Sequence, residues 1–482
     1  MKRISVRPLE PRDVAACNEG RTERGGAHMA GETVTQETDV AVVGSGPGGA
    51  TVARELARAG VRVTLLERGK DYRRRFYYGT HLGALVYADR RSLLFTEEGL
   101  NVVRPIMTGG ATNMFCGCAA EPPRWLKERY GVDLEEEARK TIEELAIQPL
   151  PDELLGEGSR RIMEAAQELG YDWQPLPKFM SPQGRRFDCG ARCMLGCRCG
   201  AKWTANEYID EAVANGCKLV TQAHVNEIVI EGGQAGGVRG KIAGRPFELR
   251  AKVVVVSAGG IGTPLILQQS GIPEAGQGMA MDTTVMVYGV WKGRGTAFEP
   301  PMSVGYSDLE HGYMLSTLID PWMLYPIMAT LKGLRRAFGW RNYRRTVGVM
   351  IKVTDEVSGT VSGGKRLRIS KPMTERDRER LEHATGVATR ILVKAGCDAG
   401  SVFVSPLRGT HPSATVRLGE LVDQDLQTSV NGLYVCDASV FPEALGQPTV
   451  LTIISFARRL SRRLLEGVFS KERTGLGSAR TS

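Results

Sequence analysis

The chain has 482 residues, 42% of them hydrophobic and 24% charged, the composition of an ordinary globular protein and more than one core usually serves, so two domains sharing an interface are expected. Its formal charge of +9 comes from basic residues scattered along the chain and unaccompanied by any reader motif, which argues against nucleic acid as a partner. No apolar run reaches the ~18 residues of a membrane span, and ten cysteines without an apolar secretory segment point to thiols or a metal centre in the cytoplasm rather than to a disulfide framework.

Residues 1–36 are polar, rich in Gly, Arg and Glu and aperiodic, and read as a disordered leader. At Asp39 the run DVAVV enters Gly44-Ser45-Gly46-Pro47-Gly48-Gly49. Val52, Ala53, Leu56 and Ala57 then recur at helical spacing until Gly60, and VRVTLLE alternates as a second strand. The turn satisfies the G-x-G-x-x-G dinucleotide pattern. Gly44 makes the tight bend, Gly46 lets backbone approach a pyrophosphate, Gly49 permits close helix–strand packing, and the helix N-terminus offers free N–H groups to phosphate. Glu67 closes the second strand, where a carboxylate accepts from ribose hydroxyls and repels a 2′-phosphate. That favours FAD or NAD over NADP without choosing between them.

The dinucleotide domain is expected to run over residues 37–120 in its first part, ending in the Gly-rich stretch RPIMTGGATNMFCG (Arg104–Gly117). Residues 121–184 read as a helical, acidic insertion on the substrate side. The domain resumes at 185–275 with Cys189, Cys193, Cys197 and Cys199, spaced C-x3-C-x3-C-x-C. Four thiols so close suit an iron–sulfur cluster or zinc, although the spacing is no C-x2-C knuckle; the alternative is a Gly/Cys-rich loop that covers the cofactor and packs. KVVVVSAGGIGTPLILQQSGI (Lys252–Ile272) reads as a β run, a turn at Ala258, Gly259 and Gly260, and a helix begun by Thr263-Pro264. Residues 276–400 are assigned to a substrate-binding domain with VMVYGVWKG and TVGVMIKVTDE as strands. Between them an apolar stretch meets a basic one in which Lys332, Arg335, Arg336, Arg341, Arg344 and Arg345 occur without an acid. That pairing suits a helix on a membrane surface or the mouth of an apolar tunnel, and equally a core helix followed by a solvated one. Residues 401–468 return to the dinucleotide domain through GTHPSATVRLG (Gly409–Gly419) and GLYVCDASVFPEALGQPTVLTIISFARRLSRRLL (Gly432–Leu465), and 469–482 read as a disordered tail.

Four of these segments resemble the glucose-methanol-choline (GMC) family of FAD oxidoreductases. Gly109, Gly110, Ala111, Thr112 and Asn113 stand in its Gly-Gly-Ser-Thr/Ser…Asn segment, with a shorter spacing to Asn113 than in many members. Lys252–Ile272 is similar to the signature G-A-x-x-T-P-x-L-x-x-S-G-I. Gly432–Leu465 is similar to the segment in which a strand ends at an Asp-Ala-Ser-x-x-Pro turn, here Asp437-Ala438, and a helix from about Thr449 points its N–H groups toward the flavin. The resemblance implies an α/β fold, a Rossmann-type FAD-binding domain with a second α+β substrate-binding domain. It implies FAD as cofactor, with Gly44, Gly46, Gly49, Glu67, Gly109, Gly110, Asn113, Ala258, Gly259, Asp437, Ala438 and Thr449 around it.

GTHPSATVRLG resembles the family stretch His-Pro-x-Gly-Thr-x-x-Met-Gly, which places His411 as the base that takes a hydroxyl proton while hydride leaves the carbinol carbon for flavin N5. The family's second catalytic position, His or Asn before Pro, falls on Gln447, with one extra residue before Leu451. Glutamine orients a substrate oxygen but is no base. The expected activity is therefore a dehydrogenase for an apolar or bulky alcohol, with a saturase or desaturase working on a carbon–carbon double bond of a lipid-like substrate as the rival. Family members with and without a small iron–sulfur cluster carry similar Cys-rich stretches. On the cluster reading Cys189, Cys193 and Cys197 are ligands, and electrons leave to an acceptor protein or a quinone. A cytoplasmic location, or a peripheral one at the inner membrane surface, is the corresponding expectation.

Overall fold

Val34–Val43 (β1) and Val63–Glu67 (β2) run parallel, with Val40–Val43 opposite Val63–Leu66. Val40, Ala41, Val42 and Leu65 are wholly buried, as a parallel sheet covered on both faces requires. These strands belong to a computed structural model that describes residues 34–181, 187, 189–331, 333–364 and 366–470. The expected leader and tail fall almost entirely outside the described residues. The helix α1 (Pro47–Arg58) follows the glycine turn and presses its buried Val52, Ala53 and Leu56 onto the sheet.

The central strand Arg245–Val256 joins two kinds of pairing. Its first half pairs antiparallel with Gln234–Ile242, which pairs in turn with Ala223–Glu231. On that same side its last residues, Val254–Val256, lie parallel to Leu433–Val435, and on the other side it runs parallel to β1 from Phe247 to Val256. Lys218–Thr221 closes the far edge beside β2. Segments far apart in the chain thus end side by side at one edge, where the glycine turn, helix Gly259–Gln269 and helix Val450–Glu466 begin.

The second sheet is antiparallel around Thr283–Val290, Thr346–Val353, Tyr313–Thr317 and Val304–Asp308. Val285, Val287, Leu315, Val349 and Ile351 form one buried cluster with Ala384, Val387, Ala388 and Ile391 of helix Glu375–Lys394. That helix opens on a capping box in which Thr374 and Asp377 satisfy each other's main-chain N–H groups. Phe403–Val404 and Arg408–Gly409 pair with Thr283–Val290, and Asn101–Val102 pairs with Arg408–Gly409. The chain after residue 401 therefore stays with the second sheet as far as Gly409, and only then crosses to the first.

Two local expectations are corrected. The helix expected to start at Thr263-Pro264 starts at Gly259, which leaves Pro264 inside it. Proline removes the N–H that would pair with the carbonyl of Gly260, and Thr415 Oγ1 donates to that carbonyl instead at 2.9 Å. The apolar and basic stretch, read as helical, begins with a strand, Tyr313–Thr317, before a short helix, Leu324–Leu331, and a 3-10 run, Leu334–Arg345. Among the described residues no helix is long and apolar enough to cross a membrane.

Candidate active site

Three helices, α1, Gly259–Gln269 and Val450–Glu466, begin without a side-chain cap at Gly46, Ala258 and Thr449, so first-turn N–H groups are open to an anion or a carbonyl, except that of Gly259, which Asp437 takes. A side chain at Gly48 would sit 2.0 Å from the carbonyl oxygen of Cys436, and one at Gly49 1.9 Å from that of Gly44. These two glycines are therefore needed for packing. A Cβ at Gly46 or at Gly259 would meet nothing within 4 Å, which leaves open space over both turns. Gly109 and Gly110 adopt left-handed φ of +78° and +51°, and a Cβ at Gly110 would lie 3.1 Å from Gly46 Cα. The Gly-rich stretch thus lies over the dinucleotide turn and completes a cradle that fits a pyrophosphate.

The acidic and amide residues expected to touch the cofactor are largely occupied within the protein. Glu67 accepts from Ser45 N–H at 3.1 Å, Ser45 Oγ at 2.6 Å and Gly69 N–H at 2.6 Å. Burial raises its carboxyl above the ordinary range against those three donors. Of about four acceptor sites on a carboxylate, one on Oε1 is left for a ribose hydroxyl. Asp437 accepts from Gly259 N–H at 2.8 Å, Thr263 Oγ1 at 2.5 Å and Ser439 N–H at 2.8 Å, so it ties the start of helix Gly259–Gln269 to the end of the Leu433–Val435 strand. Ala438 continues this turn, its carbonyl accepting from Ala414 N–H at 3.2 Å. The Asn113 side chain is the clearest correction. Its Oδ1 accepts from Tyr78 and Asn206, and its Nδ2 donates to the carbonyls of Thr108 and Gly110. It pins the Gly-rich stretch and has no capacity left for a cofactor.

His411 follows the strand Arg408–Gly409, and its ring Nδ1 lies 2.7 Å from Asp282 Oδ2. An ionised carboxylate only accepts, so Nδ1 carries the proton and Nε2 keeps its lone pair. Among the described residues both polar contacts of the ring are made at Nδ1, the second with Lys352 Nζ at 3.5 Å. Burial and then the Lys352 ammonium hold the imidazole below its ordinary range, with Asp282 opposing. The result is a neutral imidazole near pH 7. Lys352 is itself pushed down by burial, with Asp282 as the nearby carboxylate that resists.

Asp282 is held at a left-handed φ of +47°, which a non-glycine residue keeps only when its surroundings over-determine it. Asp355 supplies that constraint. It accepts from the N–H groups of Met281, Asp282 and Thr283 at 3.0, 3.1 and 3.2 Å, and from Thr283 Oγ1 at 2.7 Å. Lys371, fully buried, stands 3.5 Å behind it. The other oxygen of Asp282 accepts from Gly446 N–H at 3.0 Å, so one carboxylate fixes both the imidazole and the residue before Gln447. Gln447 Nε2 donates to the Glu121 carbonyl at 2.7 Å. That bond uses one of its two N–H donors, so the second N–H and the carbonyl oxygen are its remaining polar groups.

The four cysteines of the loop stand as two thiol pairs. Cys197 and Cys199 stand with their sulfurs 3.7 Å apart, and Cys189 pairs with Cys193, whose thiol is held down by that hydrogen bond and by Lys202 and Lys178. Among the described residues no three of these sulfurs lie within 4.8 Å of one another, so Cys189, Cys193 and Cys197 are not placed to share a single metal ion. Two buried lysines anchor it. Lys202 Nζ donates to the carbonyls of Asn113, Phe115 and Cys193, and Lys178 Nζ to those of Cys116, Pro301 and Met302. These ammonium groups join the Gly-rich stretch, the cysteine loop and the second sheet.

A family model described as GMC oxidoreductase matches residues 124–285, a second with the same description matches 366–457, and an FAD binding domain model matches 37–76. The chain is similar to an uncharacterized protein of Methanocaldococcus jannaschii, 29% identical over 438 residues that cover 89% of this chain and 100% of that protein. It is also similar to a long-chain-alcohol oxidase of Arabidopsis thaliana, 24% identical over 535 aligned residues that cover 93% of this chain and 70% of that protein. Among solved structures, pyridoxine 4-oxidase from Mesorbium loti shares the fold at a TM-score of 0.65 and 18% identity, over 88% of this chain and 99% of that one.

Proposed function

The chain belongs to the GMC family of FAD-dependent oxidoreductases, and from that premise we propose that it is a dehydrogenase for the CH–OH group of an apolar or bulky alcohol, with His411 as its base. The observation that carries this reading is the 2.7 Å contact between Asp282 and His411 Nδ1, because it leaves Nε2 as an unprotonated acceptor. Bound FAD supplies the two-electron acceptor for the hydrogen leaving the carbinol carbon.

The residues of the chain supply the rest. His411 Nε2 takes the hydroxyl proton. Asp282 holds the ring and stabilises the imidazolium that results, as the carboxylate does in a histidine–aspartate pair. Gln447 orients the substrate by donating its second amide N–H to the hydroxyl oxygen, whose single proton goes to His411. Gly44, Gly46, Gly49, Gly109, Gly110 and the open first turns after Ala258 and Thr449 cradle the cofactor, with Glu67 at the ribose. An apolar substrate is supported by the similarity to a long-chain-alcohol oxidase over 93% of this chain.

The test is anaerobic titration of the holoprotein with primary alcohols of increasing chain length, followed in the visible flavin bands. We expect bleaching that becomes tighter with chain length, and faster reoxidation by a quinone analogue than by O₂. If alcohols leave the flavin oxidised while the reduced protein adds two hydrogens to an unsaturated lipid, seen as a mass change, the saturase reading replaces this one.

A further inference from the structure

The described surface carries large apolar side chains that no core absorbs, and several of them gather from two distant parts of the sequence. On helix His81–Tyr87 (α2), Leu82, Leu85 and Val86 are 56, 48 and 47% exposed. Around helix Leu324–Leu331, Trp322, Ile327 and Leu331 are 56, 54 and 64% exposed, while Tyr325 and Ala329 point inward. Met323, Ile327 and Leu331 recur every four residues, which aligns them on one helix face. The two segments are neighbours: the His81 and Trp322 rings meet edge to face with centroids 6.1 Å apart. A contiguous apolar area of this kind on a folded surface marks an interaction site.

The charge around it identifies the partner. No Asp or Glu occurs from Trp322 to Val353. Arg341, Arg344 and Arg345 are exposed in that stretch, and Arg90 and Arg91 are exposed just after α2. Trp340, 54% exposed, has the Arg341 guanidinium 5.7 Å from its ring. Tryptophan and aliphatic side chains ringed by arginine match the boundary of an anionic bilayer, where the apolar groups enter the acyl edge and the guanidinium groups meet phosphate. Since no described helix is able to span, such a surface rests on one leaflet.

We propose that the face formed by α2, residues 322–331 and residues 340–345 seats the protein on membranes containing anionic phospholipid. The face is joined to the candidate active site by one buried ion pair. Asp320, two residues before Trp322, binds Arg408 through both of its oxygens at 2.7 and 2.6 Å, and Arg408 lies three residues before His411. The attachment is independent of the reaction and stands whichever substrate is turned over.

The experiment is co-sedimentation of the full-length holoprotein with vesicles of phosphatidylcholine alone or with phosphatidylglycerol, at low and high salt. Binding is expected to the phosphatidylglycerol vesicles, to weaken with salt, and to blue-shift tryptophan fluorescence. Ile327→Ser with Leu331→Ser should abolish it, and Arg341→Gln with Arg344→Gln should reduce it on the order of tenfold or more. All four substitutions lie on the surface and should leave oxidation of a water-soluble alcohol unchanged. Absence of binding to either vesicle overturns the proposal. So does a dimer in sedimentation velocity that the Ile327→Ser, Leu331→Ser protein fails to form, since a second copy would then be the occupant.

Discussion

At the scale of single residues, the account rests on a carboxylate that chooses a tautomer and an ammonium that keeps a histidine neutral. Asp282→Asn retains size but offers the ring a group that also donates, so the wrong tautomer becomes accessible. Flavin reduction by alcohol should fall on the order of 10²- to 10⁴-fold, with FAD content unchanged. Lys352→Met tests the other neighbour. His411 works as a base only when neutral, so the reduction rate falls as pH drops through its pKa, and that pKa is depressed by burial and by Lys352. Removing the ammonium raises the pKa and moves the acid limb of the pH–rate profile to higher pH. A profile unmoved by Lys352→Met would show that the lysine does not act on the ring. Neither partner stood out in the sequence. Lys352 had left a trace, as the one charge in the wholly buried strand TVGVMIKV, but Asp282 sits 129 positions from His411, and only the folded chain brings them together.

At the scale of elements, the glycines divide into those that pack and those that make room. Gly48→Ala drives a methyl into the Cys436 carbonyl, 2.0 Å away, and should lower the stability of the apoprotein by several kcal/mol or prevent folding. Gly46→Ala meets nothing within 4 Å. The apoprotein should unfold within about 0.5 kcal/mol of wild type in urea yet retain far less FAD, because the methyl occupies the pyrophosphate approach. Equal FAD content in the wild type and Gly46→Ala would remove that turn from the cofactor site. The strand, turn, helix and strand from β1 to β2 were legible because local periodicity and glycine placement specify them. The start of helix Gly259–Gln269 was not, since proline reads as a first-turn residue until the distant Thr415 is seen to satisfy the carbonyl it orphans. The strands at Phe403–Val404 and Arg408–Gly409 were missed for a similar reason: two residues show no alternation, and their pairing is set by Thr283–Val290.

For the whole molecule, the proposed cradle draws on four segments, near residues 44–49, 109–113, 258–263 and 437–450, which are held against one another by the first sheet. A ligand that touches all four binds only the folded chain. FAD at about 100 times its dissociation constant should then add about 2.7 kcal/mol to stability, and its removal should lower the midpoint of thermal unfolding while leaving secondary structure in place. The family and cofactor could be read from sequence because their segments are short, local and in order. The loop of Cys189, Cys193, Cys197 and Cys199 could not, because whether thiols converge or pair off depends on what lies behind them, here Lys178 and Lys202.

The central claim is that His411 accepts the proton of an alcohol bound beside FAD, and rapid-mixing measurement of flavin reduction under anaerobic conditions tests it most directly. The His411→Ala holoprotein should bind FAD as the wild type does and reduce it on the order of 10²-fold or more slowly with the same alcohol. Reduction at the wild-type rate would contradict the account, and the base would have to be sought elsewhere in the site.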